Sequence, residues 1–546
     1  MHTNHKFFSR FSFVLALSLI SQFAQAQTAQ GNSSVYVIGI LIVVGSLILV
    51  SAILTLSQNF LTIKASEDGV DLDGEEKGLS INSLWKGAAP LYTNGAKVTE
   101  LKQGHDILLK GKPTGTPSKK SVSRFSVNPN SFRGLSPIPK VVVNVGDEVK
   151  AGDTIYYDKK NPVVKFVAPV SGEVIEINRG EKRSITDIVI LADSKIEHTQ
   201  FDPPSISEAS RDDIVSYLLN TGGWTLLNQR PYDVLPAHDA VPSNIFISTF
   251  DTAPLSPDTT VVMKGRGTMF QKGLDTLNRL TDGKVYLGLS ANSDEAPDAA
   301  LTGAKNVEKC WFKGKHPSGN VGIQIHHTAP IGSGQTVWTL GIQEVITLGE
   351  LMHKGIYNAR RIVAVGGANV INPGYIDTYV GANIGDLLKD NLTGEKNRLI
   401  DGDALSGVTS SAEAYLRHRS DQISVIEEGD YYEIFGWLLP LKARPTVSKT
   451  FPNFLYPNLE FDGDTSTHGE QRAFVMSGQY EKVLPMDLYP QHLLKAIMTG
   501  DFEQMEGLGI YELSEEDLAL CEFVCTSKMP VQEILRGGLD MMREQG

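Results

Sequence analysis

The pattern of hydrophobic and polar positions divides the chain into regions of different secondary structure. Residues 82–205 carry short valine-rich runs broken by turns, a pattern typical of β-strands. Residues 206–375 alternate helical apolar spacing with continuous apolar runs, which predicts helices and buried strands in turn. The helices are expected at 207–220 and 270–280, and the strands at 244–250, 284–289 and 361–367. Strands that alternate with helices predict a parallel α/β sheet.

The rest of the chain returns to short strands and then ends in helices. Residues 376–475 carry strand-length runs between glycine turns, and residues 476–546 are predicted to be helical. Ser514 and Asp517 have the spacing of a capping box, which marks the start of a helix. Residues 321–327 are predicted to form a strand, on which the adjacent His326 and His327 would point to opposite faces.

Two apolar segments precede the strand-rich region. Residues 1–26 combine Lys6 and Arg10 with a short apolar run and a small-residue site, the order of a secretory signal peptide. Residues 35–56 carry no charge and, at about 1.5 Å per residue, are long enough for a transmembrane helix. Residues 57–81 are acidic and are expected to be a tether. Lys6 and Arg10 are expected to keep the N-terminus in the cytoplasm. The apolar run within 1–26 and the segment 35–56 would then cross the membrane outward and back, which would place the body of the chain, residues 82–546, in the cytoplasm.

Composition and charge exclude several classes of protein. The chain has 546 residues, 41% hydrophobic and 21% charged, which indicates several globular domains and not a disordered or multi-span membrane protein. Its net charge of −13 offers no basic footprint for a phosphate backbone, so we expect no nucleic-acid partner. Three cysteines form no disulfide framework, which favours a reducing compartment for the body.

Two similar strand–turn–strand segments, 145–153 and 168–174, flank a short hairpin. Such a pair builds a flattened barrel and resembles the biotinyl/lipoyl carrier fold. In a carrier, a lysine at the hairpin tip bears the cofactor, and Lys159 and Lys160 are the candidates. Lys159 is farther from the second segment than the lipoyl pattern allows, and Pro162 stiffens the loop by fixing its own φ. The loop therefore favours a structural barrel over a swinging arm.

The chain shows no self-contained catalytic motif. The glycines at 265–267, 332–334 and 366–367 do not complete a dinucleotide fingerprint, and no Walker-type phosphate loop occurs. Cys521 and Cys525 share a helix face, but two thiols complete neither a tetrahedral zinc site nor a four-iron cluster. We expect them to be buried small residues. The sequence predicts no catalytic, cofactor-binding or metal-binding residue in this chain.

Ten short strings together resemble one family, the A subunit of the bacterial sodium-translocating NADH:quinone reductase. They are KQGHDI (102–107), DKKNP (158–162), APVSG (168–172), EINRGEKR (176–183), GGW (222–224), HPSG (316–319), TVW (336–338), FGW (435–437), GEQRA (469–473) and EEDLALC (515–521). The resemblance covers roughly residues 98–546, so the signal-like and transmembrane segments lie outside it.

The resemblance implies an α+β multidomain fold. Its parts are a lipoyl-like β-barrel domain at 82–205, a Rossmann-like α/β domain at 206–375, a β-grasp-like domain at 376–475 and C-terminal helices at 476–546. The fold is similar to that of the flavin-binding subunit of respiratory complex I without its cofactors.

The resemblance also implies a function. The complex of this family oxidises NADH, reduces ubiquinone or menaquinone, and pumps Na+ outward. NADH, FAD, FMN, riboflavin and iron–sulfur clusters are expected in partner subunits and none in this chain. The chain is expected at the cytoplasmic side of the bacterial inner membrane, where it contributes to assembly and quinone handling. Lys159, Lys160, Asn161 and Pro162 are expected to form a docking or quinone-proximal surface, because a basic tip suits an acidic partner.

Three alternatives follow from the same features. A membrane-anchored adaptor of an export system also pairs one N-terminal helix with a lipoyl-like domain, but the short loop between the two half-motifs leaves no room for its long α-hairpin. A free-standing NADH dehydrogenase needs a nucleotide site, which the glycine pattern denies. A biotin or lipoyl carrier is opposed by the loop that holds Lys159.

Overall fold

The computed structural model describes residues 90–136, 138–433, 435–436, 443–448, 453, 456 and 458–545. The signal-like segment (1–26), the expected transmembrane helix (35–56) and the tether (57–81) lie outside these residues. Within the described part of the chain, every helix is too short or too polar to cross a membrane.

The described residues contain nineteen strands, numbered in chain order. They are β1 Val98–Glu100, β2 Ser118–Lys119, β3 Arg124–Val127, β4 Lys140–Val141, β5 Glu148–Val149, β6 Thr154–Tyr157, β7 Lys165–Val167, β8 Gly172–Arg179, β9 Ile185–Ala192, β10 Asn228–Arg230, β11 Asn244–Ser248, β12 Lys284–Ser290, β13 Glu308–Lys313, β14 Val337–Leu340, β15 Arg360–Gly366, β16 Gly374–Tyr379, β17 Asn397–Asp401, β18 Val408–Ser410 and β19 Gln422–Glu427.

Eleven α-helices accompany these strands in the described residues. They are α1 Arg211–Asn220, α2 Thr259–Met263, α3 Gly267–Leu277, α4 Ala299–Thr302, α5 Val321–Thr328, α6 Ile342–Lys354, α7 Ile384–Leu388, α8 Pro490–Thr499, α9 Phe502–Gly507, α10 Glu515–Val524 and α11 Val531–Gln545. The helices predicted at 207–220 and 270–280 and the strands predicted at 244–250 and 284–289 are confirmed within a few residues.

The strand-rich region forms two small sheets, β3-β9-β8-β5 and β4-β6-β7. Val174 of β8 and Ile188 and Ile190 of β9 are buried. They share one apolar cluster with Tyr156 and Phe166 of the smaller sheet, whose rings stack at 4.5 Å. The predicted barrel of two packed half-motifs is confirmed.

The α/β region is built on a six-stranded sheet in the order β1-β13-β12-β11-β14-β10. All neighbouring strands are parallel except β10, which runs antiparallel to β14. Helices α3 and α6 cross closely because each has a glycine at the contact: a Cβ on Gly349 would lie 1.9 Å from Met269 O, and one on Gly273 would lie 2.1 Å from Val345 O. The predicted parallel α/β sheet is confirmed.

A second six-stranded sheet, in the order β18-β17-β19-β15-β16-β2, is of mixed direction. It includes β15, which the sequence pattern assigned to the parallel sheet. That assignment is wrong: β15 pairs antiparallel with β16 and parallel with β19. The apolar run from Ile362 to Val365 is buried on both faces, and a doubly buried strand has the same pattern in either sheet.

The strand predicted at 321–327 is also wrong, because these residues form the helix α5. This helix lies between two apolar clusters. Ile323 joins the cluster of the C-terminal helices, while Ile325 packs with Phe246 and Val337 of the parallel sheet. The helix is therefore apolar on two opposite sides, so its sequence lacks the single apolar stripe by which an amphipathic helix is identified.

Four helices, α8 to α11, pack around a shared apolar core near the end of the chain. The Ser514–Asp517 capping box is confirmed at the start of α10. Cys521 and Cys525 are buried as expected, and the Tyr480 hydroxyl donates a hydrogen bond to Cys525 Sγ at 3.0 Å.

Candidate functional site

A cavity of about 420 Å³ lies at the carboxyl ends of β11 and β14. The chain runs from β11 to β12 and β13 on one side and later returns to β14 on the other. The cavity is thus at the topological switch point of the sheet, where open α/β sheets bind their ligands. Ser248 to Asp251 and Thr339 to Gln343 form its floor, and residues of the second sheet and of α10 complete its walls.

One wall of the cavity carries a network of arginines and carboxylates. Arg230 contacts Glu516 at 2.6 Å and Asp517 at 3.2 Å, and both Arg230 and Asp517 are almost fully buried. Arg133, which is partly exposed, contacts Asp233 at 2.6 Å and Glu515 at 2.7 Å. The Arg230 pairs join β10 to the first turn of α10 and so tie the α/β region to the C-terminal helices. Arg133, which follows β3, contacts both regions through Asp233 and Glu515.

Three further carboxyls and Arg419 also line the cavity. Asp251 follows β11, whereas Asp403 and Asp421 come from the loops around the second sheet. Burial, with a contribution from Asp403, raises the pKa of Asp251 to about 6. Burial raises the pKa of Asp421 to about 7, and Asp251 adds to that shift. The charges of Asp403 and Asp421 thus each act on, or are acted on by, Asp251.

His316 lines the same cavity and is 3% exposed. Its Nδ1 lies 3.2 Å from Thr252 Oγ1, a hydroxyl oxygen that also accepts from Gly319 N–H. Its Nε2 has no hydrogen-bond partner among the described residues. Burial lowers the pKa of His316, so the imidazole is neutral at pH 7.

The predicted site residues lie elsewhere, in the β6–β7 hairpin of the barrel. Lys159, Lys160 and Pro162 are exposed and Asn161 is partly exposed. Asp158 is buried at the base of the turn, where its Oδ1 accepts from Lys160 N–H at 3.2 Å. None of these residues lines the cavity described above.

The other histidines considered in the sequence analysis, His326 and His327, make contacts within the fold. His326 Nδ1 lies 2.7 Å from Glu512 Oε2, and His327 Nε2 lies 2.6 Å from Pro485 O. Both histidines therefore hold α5 against the C-terminal region. Within the described residues, no group of three or more His, Cys, Asp or Glu side chains is spaced to hold a metal ion.

The sequence patterns missed the carboxyls of the cavity. Asp251 could have been found, because it directly follows a buried strand and the ends of such strands carry functional residues. Asp403 and Asp421 follow no recognisable motif and reach the cavity only because the second sheet packs there. His316 belongs to the HPSG string (316–319), and nothing in its neighbourhood along the chain predicts its burial.

Three family models match the chain. They are the NqrA N-terminal barrel-sandwich hybrid domain at residues 99–193, the NqrA second alpha/beta domain at 209–357 and the NQRA C-terminal domain at 362–412.

Curated relatives match most of the chain. It is 36% identical to the A subunit of the Na(+)-translocating NADH-quinone reductase of Neisseria meningitidis serogroup B, over 82% of this chain and 100% of that protein. It is 39% identical to the protein of the same name from Shewanella frigidimarina, over 76% of this chain and 92% of that protein. A solved NAD+-reducing NiFe-hydrogenase aligns with 63% of this chain and 62% of that chain, but its TM-score of 0.34 and identity of 11% carry no argument.

Proposed function

The chain belongs to the NqrA family, the A subunits of Na(+)-translocating NADH-quinone reductases, and on this premise we propose that it serves in a membrane complex that couples NADH oxidation and quinone reduction to Na+ transport. The observation that carries this proposal is the match to a relative over its whole length. An export adaptor is not favoured by these relatives.

We propose that this chain supports assembly and quinone handling, whereas NADH, flavins and iron–sulfur clusters are held by other members of the complex. The support comes from the sequence: the dinucleotide fingerprint is incomplete, and three cysteines are too few for a four-iron cluster with cysteine ligands. We place the body on the cytoplasmic side of the inner membrane, anchored by residues 35–56, because two crossings return the chain to the side of Lys6 and Arg10.

We propose domains at 82–205, 206–359, 360–475 and 476–546; the limit expected at 375 moves to 359 because β15 and β16 pair within the second sheet. A β-grasp-like domain is supported by the second sheet, in which β15 and β19 are parallel neighbours and the other strands flank them. Strands β1 and β2 precede the barrel strands in the chain but pair with the two larger sheets, so the segment before β3 links these regions.

Co-purification tests this assignment to the complex. A tag on the full-length chain, expressed in its own host, should recover the other subunits of a Na+-dependent NADH:quinone reductase in fixed proportion. Loss of that activity from membranes that lack this chain, and its return with the tagged chain, would support the proposal. Recovery of an outer-membrane export channel, or of no partner, would contradict it.

The β6–β7 hairpin is the docking or quinone-proximal surface that we propose. Its tip is held by its own hydrogen bonds: Asn161 N–H donates to Asp158 O at 3.2 Å, and Val164 N–H donates to Asn161 O at 3.2 Å. At its base, Lys165 Nζ donates to Asn220 Oδ1 at 2.8 Å. A braced and basic tip suits a fixed contact with an acidic surface.

Charge reversal tests this surface. Replacing Lys159 and Lys160 with glutamate should weaken assembly or quinone reduction and leave the melting temperature of the chain unchanged, because both side chains are exposed. Lys159 should be unmodified in a mass spectrum. Lys119→Glu with Lys120→Glu, a second exposed pair, is the matched control. Full assembly and activity in the variant with both Lys159 and Lys160 replaced would show that the hairpin is only a solvent-exposed turn.

A further inference from the structure

We infer that the tip of the β8–β9 hairpin, residues 179–183, docks on a carboxylate-lined surface of another protein subunit. The contact rests on the proposed place of the chain in a complex and adds a second docking element to the β6–β7 hairpin. Arg179, Lys182 and Arg183 are the cations of the tip, and Glu181 is its acid. Three cations and one acid leave the tip with a charge of +2, on a chain whose net charge is −13.

The tip projects past the strands that flank its hairpin. Strand β3 pairs with β9 only at residues 188–191, and β5 pairs with β8 only at residues 172–173. Residues 178–179 of β8 therefore pair with residues 185–187 of β9 and with no other strand of the described sheets. At about 3.3 Å per residue, these last residues carry the tip about 10 Å beyond the pairing with β3. A hairpin end of this kind presents its turn to a neighbouring molecule.

The cations of the tip have no ionic partner in the part of the chain that the structure describes. Arg179, Lys182 and Arg183 are all exposed, and none of them forms a salt bridge with a described residue, the acid of the tip included. Exposed cations elsewhere can be paired within the chain, as Lys110 Nζ is with Asp462 Oδ1 at 3.0 Å. The positive charge of the tip is therefore available to a partner.

The turn orders its own cations. Gly180 N–H donates to Ser184 O at 2.9 Å, and Ser184 N–H donates to Glu181 O at 3.0 Å, which closes the turn. Arg179 Nη1 donates to Arg183 O at 3.4 Å, so this guanidinium is held across the turn. Because the turn is closed before contact, docking loses less conformational entropy than it would with an unstructured loop.

The backbone of the tip is unfavourable for the residues that it carries. Lys182 has a φ of 52° and Arg183 a φ of 64°, so both lie in the left-handed region. Glycine, asparagine and aspartate are the residues that usually occupy such turn positions. Two long cationic side chains gain nothing from this backbone, so the requirements of the turn do not explain them. Strain of this kind is kept where a structure presents side chains for binding.

The surroundings of the tip favour protein carboxylates over the phosphates of a lipid bilayer or a nucleic acid. Glu173 and Glu176 are exposed on β8 of the same hairpin, and a continuous phosphate surface would repel them. No large apolar side chain is exposed among the described residues 176–184, so the tip offers nothing to insert into a bilayer. Arg179 and Arg183 can each bind one carboxylate through two parallel hydrogen bonds.

Carbodiimide coupling in the purified complex tests this contact, because the reagent joins a lysine amine directly to a carboxylate that it touches. The complex is recovered through a tag on the full-length chain, treated with a water-soluble carbodiimide and analysed by peptide mass spectrometry. We expect an amide bond between Lys182 and an aspartate or glutamate of another subunit. Lys182→Arg keeps the charge but has no amine, so it should abolish this coupling and leave the recovery of the other subunits unchanged.

Charge reversal gives a second measurement. Lys182→Glu with Arg183→Glu should lower the recovery of the other subunits about tenfold, because each substitution turns an exposed ionic attraction into a repulsion. The melting temperature of the chain should not change, since both side chains are exposed. Lys119→Glu with Lys120→Glu makes the same change of charge at an exposed pair outside the tip and should leave the recovery unchanged.

The other outcomes separate this contact from the assignment to the complex. No coupling of Lys182 in an assembled complex, or coupling only to carboxylates of this chain, would overturn the contact and leave that assignment intact. Recovery of no partner would overturn both. Full recovery with the charge-reversed pair would show a solvated turn, and phosphatidylglycerol that is carried by the complex and lost in this variant would show a lipid contact instead.

Discussion

The buried contact between Arg230 and Asp517 predicts how firmly α10 is docked on the α/β region. Arg230→Met keeps an unbranched side chain in place of the Arg stem and removes the guanidinium charge. The Arg230 and Asp517 side chains are 4% and 0% exposed, so the variant leaves the Asp517 carboxylate buried without its cation. Glu516 is 41% exposed and can turn to solvent, whereas Asp517 cannot.

The expected magnitude follows from that burial. Breaking a buried ion pair by removing one partner costs about 3–5 kcal/mol. Each 1.4 kcal/mol is a factor of about ten, so the opening of α10 should become at least about a hundredfold more frequent. Hydrogen exchange measured on peptides covering Glu515–Val524 should detect this change directly, because amides in a docked helix exchange through local opening.

Arg133 supplies a matched control. It also bridges Asp233 to the first turn of α10, through Glu515, but its side chain is 41% exposed. Arg133→Met should therefore cost under about 1 kcal/mol. In the double variant Arg230→Met with Asp517→Asn, most of the protection should return, because the buried charge is gone and the Asn oxygen still caps the helix. Exchange within tenfold of the unaltered chain in Arg230→Met would refute the reasoning.

Three further measurements test other features of the fold. Burial raises the pKa of Asp421 from 3.8 to about 7, so the folded chain holds this proton more tightly than the unfolded chain does. The resulting stabilisation is fully present below about pH 4 and is lost as the pH rises to 7. Asp421→Asn should therefore melt higher than the unaltered chain at pH 8, with the difference in melting temperature closing towards pH 4. Gly349→Ala would place a methyl 1.9 Å from Met269 O and should destabilise the chain by about 1–3 kcal/mol in denaturant unfolding, whereas Gly537→Ala meets nothing within 4 Å and should stabilise it by about 0.5–1 kcal/mol. A thiol reagent applied to the native chain should modify Cys310 at most, since the other two cysteines are buried.

Local signals in the sequence predicted local structure well. Strands β11 and β12 are each predictable as a continuous apolar run bounded by turns, because both are buried within one sheet. The Ser514–Asp517 spacing predicted the start of α10 because both capping hydrogen bonds form within four residues. The barrel was predictable because each half-motif contains its own turn.

Features that depend on contacts between distant segments were not predictable in this way. The sheet to which β15 belongs is decided by its pairing with β16 and β19, which its own residues do not encode. The helix α5 was mistaken for a strand because it is covered on two sides. The acid cluster of the cavity needs three separate segments to meet, so no window of sequence contains it.

Four of the strings that carry the family resemblance meet at such long-range contacts. Trp224 and Trp338, from two of these strings, meet edge to face at 5.3 Å in the core. The backbone N–H of His316 donates to Asp106 Oδ1 at 2.9 Å, and the backbone N–H of His105 donates to His316 O at 2.9 Å. These two bonds join two more strings. These residues fix how distant parts of the chain pack together. Residues that fix the packing of distant segments can therefore carry a family resemblance without forming a catalytic motif.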